Sequence, residues 1–154
     1  MKNSTSDIHE VIRPLLFEPD IDRVIDIWYQ GSILAHSFVD EKYWLNAKTL
    51  MKEVYIPNSK TWVLLADNII IGFYSIAEDS LAAIFIDPKF HGKGYGRILL
   101  QHAFAHNQTL QLHVYQKNNK AVNFYRANEF YIESECVDDN TGESEYIMRW
   151  NREE

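Results

Sequence analysis

Apolar residues change their spacing near residue 60, and this change separates a helical part of the chain from a part rich in strands. In the first part they recur every three to four positions, which is the period of an α-helix. One such set shares a helical face: Ile21, Val24, Ile25 and Trp28. We predict that this helix begins with Asp20 as its N-cap and ends at Gly31. A second helix is predicted over 41–53, and a short strand over 9–15.

Short runs of β-branched and aromatic residues follow, and such runs are typical of strands. The pair Asp67-Asn68 separates two of them and is typical of a tight hairpin turn. Strands are predicted over 61–66, 69–77, 81–86, 109–115, 129–136 and 144–149, and helices over 94–106 and 118–128. The order βααβββαβαββ predicts a mixed α/β (α+β) domain, with a central sheet of about six to seven strands flanked by about four helices.

Composition narrows the class of protein. The chain has 154 residues, of which 46% are hydrophobic and 24% charged, so we predict one domain over 1–154 with a loose tail at 1–7. The formal net charge of −7 argues against a nucleic-acid partner and suits a cationic one. No apolar run is long enough to span a membrane, and the N-terminus lacks the apolar core of a signal peptide, so cytoplasmic residence is predicted. Cys136 is the only cysteine, which excludes an internal disulfide and a Cys-rich zinc site, and we predict no metal.

A glycine-rich stretch lies between a predicted strand and a predicted helix. It consists of His91-Gly92-Lys93-Gly94-Tyr95-Gly96, and Arg97 follows. The spacing is wrong for a P-loop, and the arginine breaks the dinucleotide-binding pattern. Glycines let the main chain approach a phosphate, the helix N-terminus adds partial positive charge, and Lys93 and Arg97 add cationic side chains. The residues alone leave two interpretations open, a phosphate-binding loop and a tight strand–helix turn.

Two motifs together resemble the GNAT acetyltransferase superfamily. The loop matches the family pattern Q/R-x-x-G-x-G/A, with His91 at the place of Gln or Arg. The segment NNKAVNFYRANEF (118–130) resembles the pattern N-x-x-A-x-x-F-Y-x-x-x-G-F, with Glu129 at the place of Gly. We predict that Asn128 adopts the left-handed conformation of that glycine, because Asn tolerates it well. The resemblance is strongest over 73–130 and is closest to small stand-alone bacterial members, some of which acetylate protein lysines.

The resemblance implies direct transfer of an acetyl group from acetyl-CoA to a primary amine. The loop from His91 to Arg97 would bind the pyrophosphate of the co-substrate. The strand Ile84-Phe85-Ile86 would pair with the pantetheine arm through its backbone. Asn118 would hydrogen-bond the arm from the other side, and Tyr125 would contact it and protonate the leaving thiolate as the general acid.

The general base and the acceptor are less closely defined by the resemblance. Glu78 and His36 are the candidates for the base, since a carboxylate can accept a proton through water and an imidazole titrates near working pH. Phe38, Glu78 and Asp79 are predicted to border the acceptor pocket. A protein lysine or N-terminal amine is the first expectation, and a polyamine or aminoglycoside the second. A non-catalytic acyl-CoA-binding module is the alternative from another class, and a monomer and a homodimer both stay open.

Overall fold

The computed structural model describes residues 10–153. Within them the helices and strands follow one another in the predicted order. The strands are β1 Glu10–Pro14, β2 Lys60–Ala66, β3 Ile69–Ala77, β4 Ser80–Ile86, β5 Thr109–Tyr115, β6 Tyr131–Val137 and β7 Ser144–Asn151. The α-helices are α1 Phe17–Ala35, α2 Glu41–Leu50, α3 Tyr95–Ala105 and α4 Asn119–Ala127. The tail predicted at 1–7 lies outside the described residues.

All seven strands form one sheet, in the order β1-β2-β3-β4-β5-β7-β6. Neighbouring strands are antiparallel except for β4 and β5, which are parallel and share a single partner pair, Ser80 with Gln111. Because this pair lies near the start of both strands, β4 and β5 separate toward their carboxyl ends. The predicted mixed sheet is confirmed, and it contains a gap in its middle.

Helices cover the two faces of the sheet unequally. On one face α3 and α4 cover Leu110, Leu112 and Val114 of β5, which belong to a core cluster with Leu99 and Leu100 of α3. On the other face α1 packs against β3 and β4. The remaining half of that second face, formed by β5, β7 and β6, carries polar and largely exposed side chains. None of the helices in residues 10–153 is both long and apolar enough to cross a membrane.

The first helix differs from its prediction at both ends. It starts at Phe17 with Leu16 as its N-cap, so Asp20 lies in the first turn, where it accepts hydrogen bonds from the backbone N–H of Leu16 and from Arg13. Gly31 does not end the helix, which continues to Ala35. A Cβ atom at position 31 would lie 2.6 Å from the ring of Phe85, so this glycine serves close packing instead of helix termination.

Two turns test the predictions of left-handed backbone. Asp67 and Asn68 have φ angles of 52° and 69°, which confirms the tight hairpin turn between β2 and β3. The prediction for Asn128 is wrong, because its φ is −108° and Glu129 adopts the left-handed conformation with a φ of 75°. The Asn128 side chain instead donates to the Phe124 carbonyl (2.8 Å). The second helix is also shorter than predicted, since α2 ends at Leu50 and a π-helical turn occupies Met51–Tyr55.

The buried ion pair at the start of α1 predicts a stability effect that depends on pH. The hydrogen bond from Arg13 lowers the pKa of Asp20, so its stabilising effect is present above the unfolded pKa and is lost as pH falls through the folded pKa. We expect Asp20→Asn to lower the free energy of unfolding by about 1–3 kcal/mol at neutral pH. The difference from wild type should shrink as pH falls below the ordinary pKa range of an aspartate carboxyl.

Urea unfolding at neutral and acidic pH measures this difference. Asp22→Asn is the matched control, because the Asp22 carboxylate is exposed in its ion pair with Lys52 and its loss should cost less than about 1 kcal/mol. A loss at Asp20 that is equal at both pH values would contradict the ionic origin.

Candidate active site

The gap between β4 and β5 opens into a cavity of about 630 Å³. Its walls come from β4, the glycine loop, the first turn of α3, the end of β5, the start of α4 and the end of α1. The sequence-predicted residues Ile84, Phe85, Ile86, Asn118 and Tyr125 all line it. Parts of the chain that are distant in sequence therefore meet where the sheet opens.

One wall of the cavity is the β4 edge that faces β5. The other edge of β4 pairs with β3, where Tyr74 opposes Ile84 and Phe73 opposes Phe85. Past Ser80, β4 has no register partner in β5, so the backbone groups of this edge are available to an extended ligand. This geometry fits the expectation that Ile84, Phe85 and Ile86 pair with a pantetheine arm.

The glycine loop needs its glycines for two different reasons. Gly92 and Gly94 have φ angles of 77° and 86°, and Gly94 is the N-cap of α3. Nothing lies within 4 Å of a Cβ at either position, so conformation and not space requires glycine there. At Gly96 a Cβ would lie 3.1 Å from the ring of Phe124, so the absent side chain lets α3 approach α4.

Most of the longer side chains of this loop line the cavity, and one does not. His91, Tyr95 and Arg97 line the cavity, whereas Lys93 is exposed and does not. His91 Nε2 donates a hydrogen bond to the Ile86 carbonyl (2.8 Å), which ties the loop to the end of β4. His91, which stands where the pattern has Gln or Arg, is therefore still a polar side chain with a hydrogen-bond partner in β4.

Asn118 and Tyr125 lie on the α4 side of the cavity. Asn118 Oδ1 accepts from the backbone N–H of Ala121 (3.2 Å) as the cap of α4, so the Nδ2 group points the other way, 3.3 Å from Nε2 of His36. Burial raises the pKa of Tyr125. Its hydroxyl is therefore protonated at neutral pH and can act as a donor.

His36 is enclosed by aromatic rings. The ring centroids of Phe38, Trp44 and Tyr115 lie 5.9, 5.1 and 5.0 Å from that of His36. Burial lowers the pKa of His36 to about 4, so the imidazole is neutral at neutral pH. Because the capping amide of Asn118 donates to Nε2, the ring proton belongs on Nδ1. The lone pair of His36 is therefore already engaged, which does not favour a role as general base.

Three polar atoms in this wall are buried without a hydrogen-bond partner among the described residues. They are Ser32 Oγ, His36 Nδ1 and Trp44 Nε1. All three residues line the cavity. Buried polar groups are normally paired, so this wall is suited to a polar ligand or ordered water. Phe38 does not line the cavity itself but supports this wall through His36 and Tyr115.

Glu78 and Asp79 lie away from the other predicted site residues. They form the turn between β3 and β4, where Glu78 has a φ of 58° and the Asp79 carbonyl accepts from the Gln111 backbone N–H (3.0 Å). This turn is at the closed end of the β4–β5 pair, about 20 Å of strand from the glycine loop. Neither residue lines the cavity, so the geometry does not support an acceptor-binding or base role for them.

The lining residues that the sequence analysis missed include a polar pair, His113 of β5 and Glu145 of β7. His113 Nδ1 lies 3.3 Å from Glu145 Oε1, and Cys136 Sγ lies within 3.8 Å of the first and 3.6 Å of the second. The three donor atoms lie within 4.8 Å of one another, a spacing that a metal ion could bridge. The alternation of β5 places His113 on the same face as Tyr115, but no motif links it to a residue on β7.

Comparison with known proteins identifies the family. A model of the GNAT acetyltransferase domain matches residues 57–132. The peptidyl-lysine N-acetyltransferase YiaC of Escherichia coli K12 is 34% identical over 132 residues, which cover 85% of this chain and 90% of that protein. The chain belongs to the GNAT acetyltransferase family. The sequence-based predictions of the family and of an acetyltransferase are thereby confirmed.

Solved structures agree with the GNAT fold. The apo form of YjaB from Escherichia coli has a TM-score of 0.82 at 26% identity, covering 92% of this chain and 97% of that one. The PaiA N-acetyltransferase from Thermoplasma acidophilum, solved in complex with coenzyme A, has a TM-score of 0.75 at 20% identity, covering 94% and 99%. The predicted fold class is confirmed.

The left-handed conformation of Gly94 leads us to predict that a substitution there weakens binding of coenzyme A to this GNAT domain. Alanine at position 94 must either adopt a φ near 86°, at a cost of about 1–2 kcal/mol, or shift the N-terminus of α3. We expect Gly94→Ala to weaken binding of coenzyme A by about tenfold or more, measured by calorimetric titration.

Gly142→Ala is the matched control, because Gly142 has a φ of 77° but does not line the cavity. It should lower thermal stability to a similar degree while leaving the affinity for coenzyme A unchanged. Equal affinities for wild type and Gly94→Ala would mean that the loop is only a structural turn.

Proposed function

We propose that the protein transfers the acetyl group of acetyl-CoA to the ε-amino group of a protein lysine. The observation that carries the proposal is the convergence of the open β4 edge, the glycine loop and the Tyr125 hydroxyl on one cavity. The similarity to the peptidyl-lysine N-acetyltransferase YiaC supports the choice of acceptor. The coenzyme A complex of the PaiA protein supports the choice of co-substrate.

The residues that line the cavity suit the parts of acetyl-CoA. The N-terminus of α3 and the glycines at 92, 94 and 96 would hold the pyrophosphate through backbone N–H groups, with Arg97 as a cationic neighbour. The backbone of Ile84 to Ile86 would pair with the amides of the pantetheine arm. Asn118 has a second Nδ2 hydrogen besides the one it shares with His36, and this hydrogen could serve an acceptor on the arm.

Tyr125 would act as the general acid. Its pKa is raised by burial, which keeps the hydroxyl protonated but also makes it a weaker acid. The same desolvation raises the proton affinity of a thiolate that forms in the cavity, so the proton transfer between them stays feasible. The acid role therefore requires that the sulfur leaves within the buried part of the site.

Charge favours a cationic acceptor. The formal net charge is −7, and the carboxylate of Glu145 lines the cavity. Beside Glu145, the neighbouring strand β6 has largely exposed side chains, which leaves room for a polypeptide acceptor. Cytoplasmic residence and the absence of a nucleic-acid partner remain predictions from composition.

Two measurements test this function. The first is calorimetric titration with acetyl-CoA and coenzyme A beside ATP and NAD, in which only the two CoA species should bind. The second is mass spectrometry of amines incubated with the protein and acetyl-CoA. N-terminally blocked peptides with one lysine should be acetylated in preference to spermidine and kanamycin. Preference for a small amine would mean that the acceptor is a small amine and not a protein lysine. Binding without any transfer would favour a non-catalytic acyl-CoA-binding module.

Removal of the Tyr125 hydroxyl should lower turnover without weakening the binding of coenzyme A. We expect Tyr125→Phe to lower kcat by about 10²–10³, because the thiolate loses its proton donor. The affinity for coenzyme A should stay within about twofold, since the ring remains in place. Tyr55→Phe is the control, because Tyr55 is exposed and outside the cavity. Transfer that is unaffected by Tyr125→Phe would show that the acid role is wrong.

A further inference from the structure

The geometry points to His113 as the general base of the acetyl transfer, with Glu145 as the residue that positions it. This inference rests on the proposed function, because it concerns the amine that attacks acetyl-CoA. It replaces both bases that the sequence suggested, Glu78 and His36.

The register of the strands brings the two side chains together. Leu112 and Val114 of β5 belong to the core cluster under α3 and α4, so His113 projects from the opposite face of the sheet. Glu145 of β7 is the register partner of Tyr115, two residues beyond His113 on the same face. The diagonal neighbours His113 and Glu145 both line the cavity, with 3.3 Å between Nδ1 and Oε1.

The hydrogen bond determines which ring nitrogen is basic. A carboxylate only accepts hydrogen bonds, so Nδ1 of His113 carries the ring proton and donates a hydrogen bond to Glu145. This leaves Nε2 with its lone pair, and Nε2 has no hydrogen-bond partner within residues 10–153. The Glu145 side chain is 14% exposed and that of His113 48%, so the buried carboxylate orients an imidazole that an incoming amine can reach.

The other titratable groups of the site are less suited to accept the proton. His36 already accepts from Asn118, and burial lowers its pKa to about 4. His91 is tied to the Ile86 carbonyl in the glycine loop. Burial, together with Glu145 and nearby carboxylates, raises the pKa of the Cys136 thiol, so it stays neutral and does not compete for a proton.

The proton transfers balance with two groups of the chain. A lysine ammonium gives one proton to Nε2 of His113, and the neutral amine attacks the thioester carbonyl carbon. As the C–N bond forms and the C–S bond breaks, the Tyr125 hydroxyl protonates the leaving sulfur. The second amine proton returns to the Tyr125 oxygen through solvent, and His113 releases its proton to solvent. The products are the acetylated lysine, CoA-SH and one proton.

Chemical rescue tests the role of His113 in turnover. With a single-lysine peptide as acceptor, we expect His113→Ala to lower kcat by about 10²–10³ while coenzyme A affinity is unchanged. Added imidazole should restore part of the lost rate, which a merely structural defect would not allow. His106→Ala is the matched control, since His106 is exposed on the C-terminal end of α3 and outside the cavity. If wild type acetylates the peptide and His113→Ala is fully active, the role of His113 is overturned, but the proposed function is not.

Glu145 needs a separate readout because it acts through His113. Glu145→Gln should lower kcat with little change in KM for the peptide, and Glu145→Asp should recover part of the rate. The groups against His113 that could shift the pH profile are Glu145 on β7 and Cys136 on β6, with Asp138 and Asp139 near the thiol. The acidic limb of the profile should disappear in His113→Ala and persist in Cys136→Ala.

Two further measurements test the inference without a His113 or Glu145 variant. Nitrogen-15 NMR of the free protein should find Nδ1 of His113 protonated and Nε2 unprotonated at neutral pH, and the opposite tautomer would overturn the assignment. Dialysis against a chelator should leave activity unchanged, and so should Cys136→Ala. Loss of activity that added Zn²⁺ restores would identify the three side chains as metal ligands and would also overturn it.

Discussion

β4 and β5 lie side by side as parallel neighbours, yet they share one partner pair before their carboxyl ends separate. A sheet that parts in this way leaves backbone donors and acceptors of its central strands without partners, which is costly unless a ligand or water supplies them. The same parting makes room for the cavity and brings the ends of both strands to its rim. The glycine loop follows β4 and the capped start of α4 follows β5, so each enters the cavity wall from its own strand.

The two sides of the cavity differ in the burial and protonation of their titratable groups. Around Tyr125 of α4 and His36 at the end of α1, burial keeps the Tyr125 hydroxyl protonated and the His36 ring neutral. On the side of β5 and β7, the side chains are more exposed and a carboxylate lies against His113. An apolar wall suits a thioester, and an anionic rim suits an ammonium group. Under the proposed function, the first environment would receive the thioester and the second would receive the amine.

The order of the fold was predictable because each element has a strong period of apolar residues and the turn residues between them are distinctive. The glycine loop and the Asn118 motif were predictable because their chemistry is local in sequence. Asp20 was misjudged because its partner, Arg13, lies before the helix, and a capping pattern does not include such a partner. Asn128 was misjudged because the left-handed residue is Glu129, while the Asn128 side chain donates to the Phe124 carbonyl.

The cavity-lining pair that sequence reasoning missed depends on tertiary register. His113 and Glu145 are 32 residues apart and meet only because β7 inserts between β5 and β6. Glu78 and Asp79 looked suitable from their place before the cofactor strand, but a strand has two ends. The turn lies at the closed end of the β4–β5 pair, and neither residue lines the cavity.

The close approach of Gly31 to Phe85 has a consequence for substitutions at both positions. A Cβ at position 31 would lie 2.6 Å from the ring, so the helix can keep its distance from β4 only while residue 31 is glycine or residue 85 is small. The two positions, 54 residues apart, therefore constrain each other. A larger residue at position 31 would therefore require either a smaller side chain at position 85 or a shift of α1 away from β4.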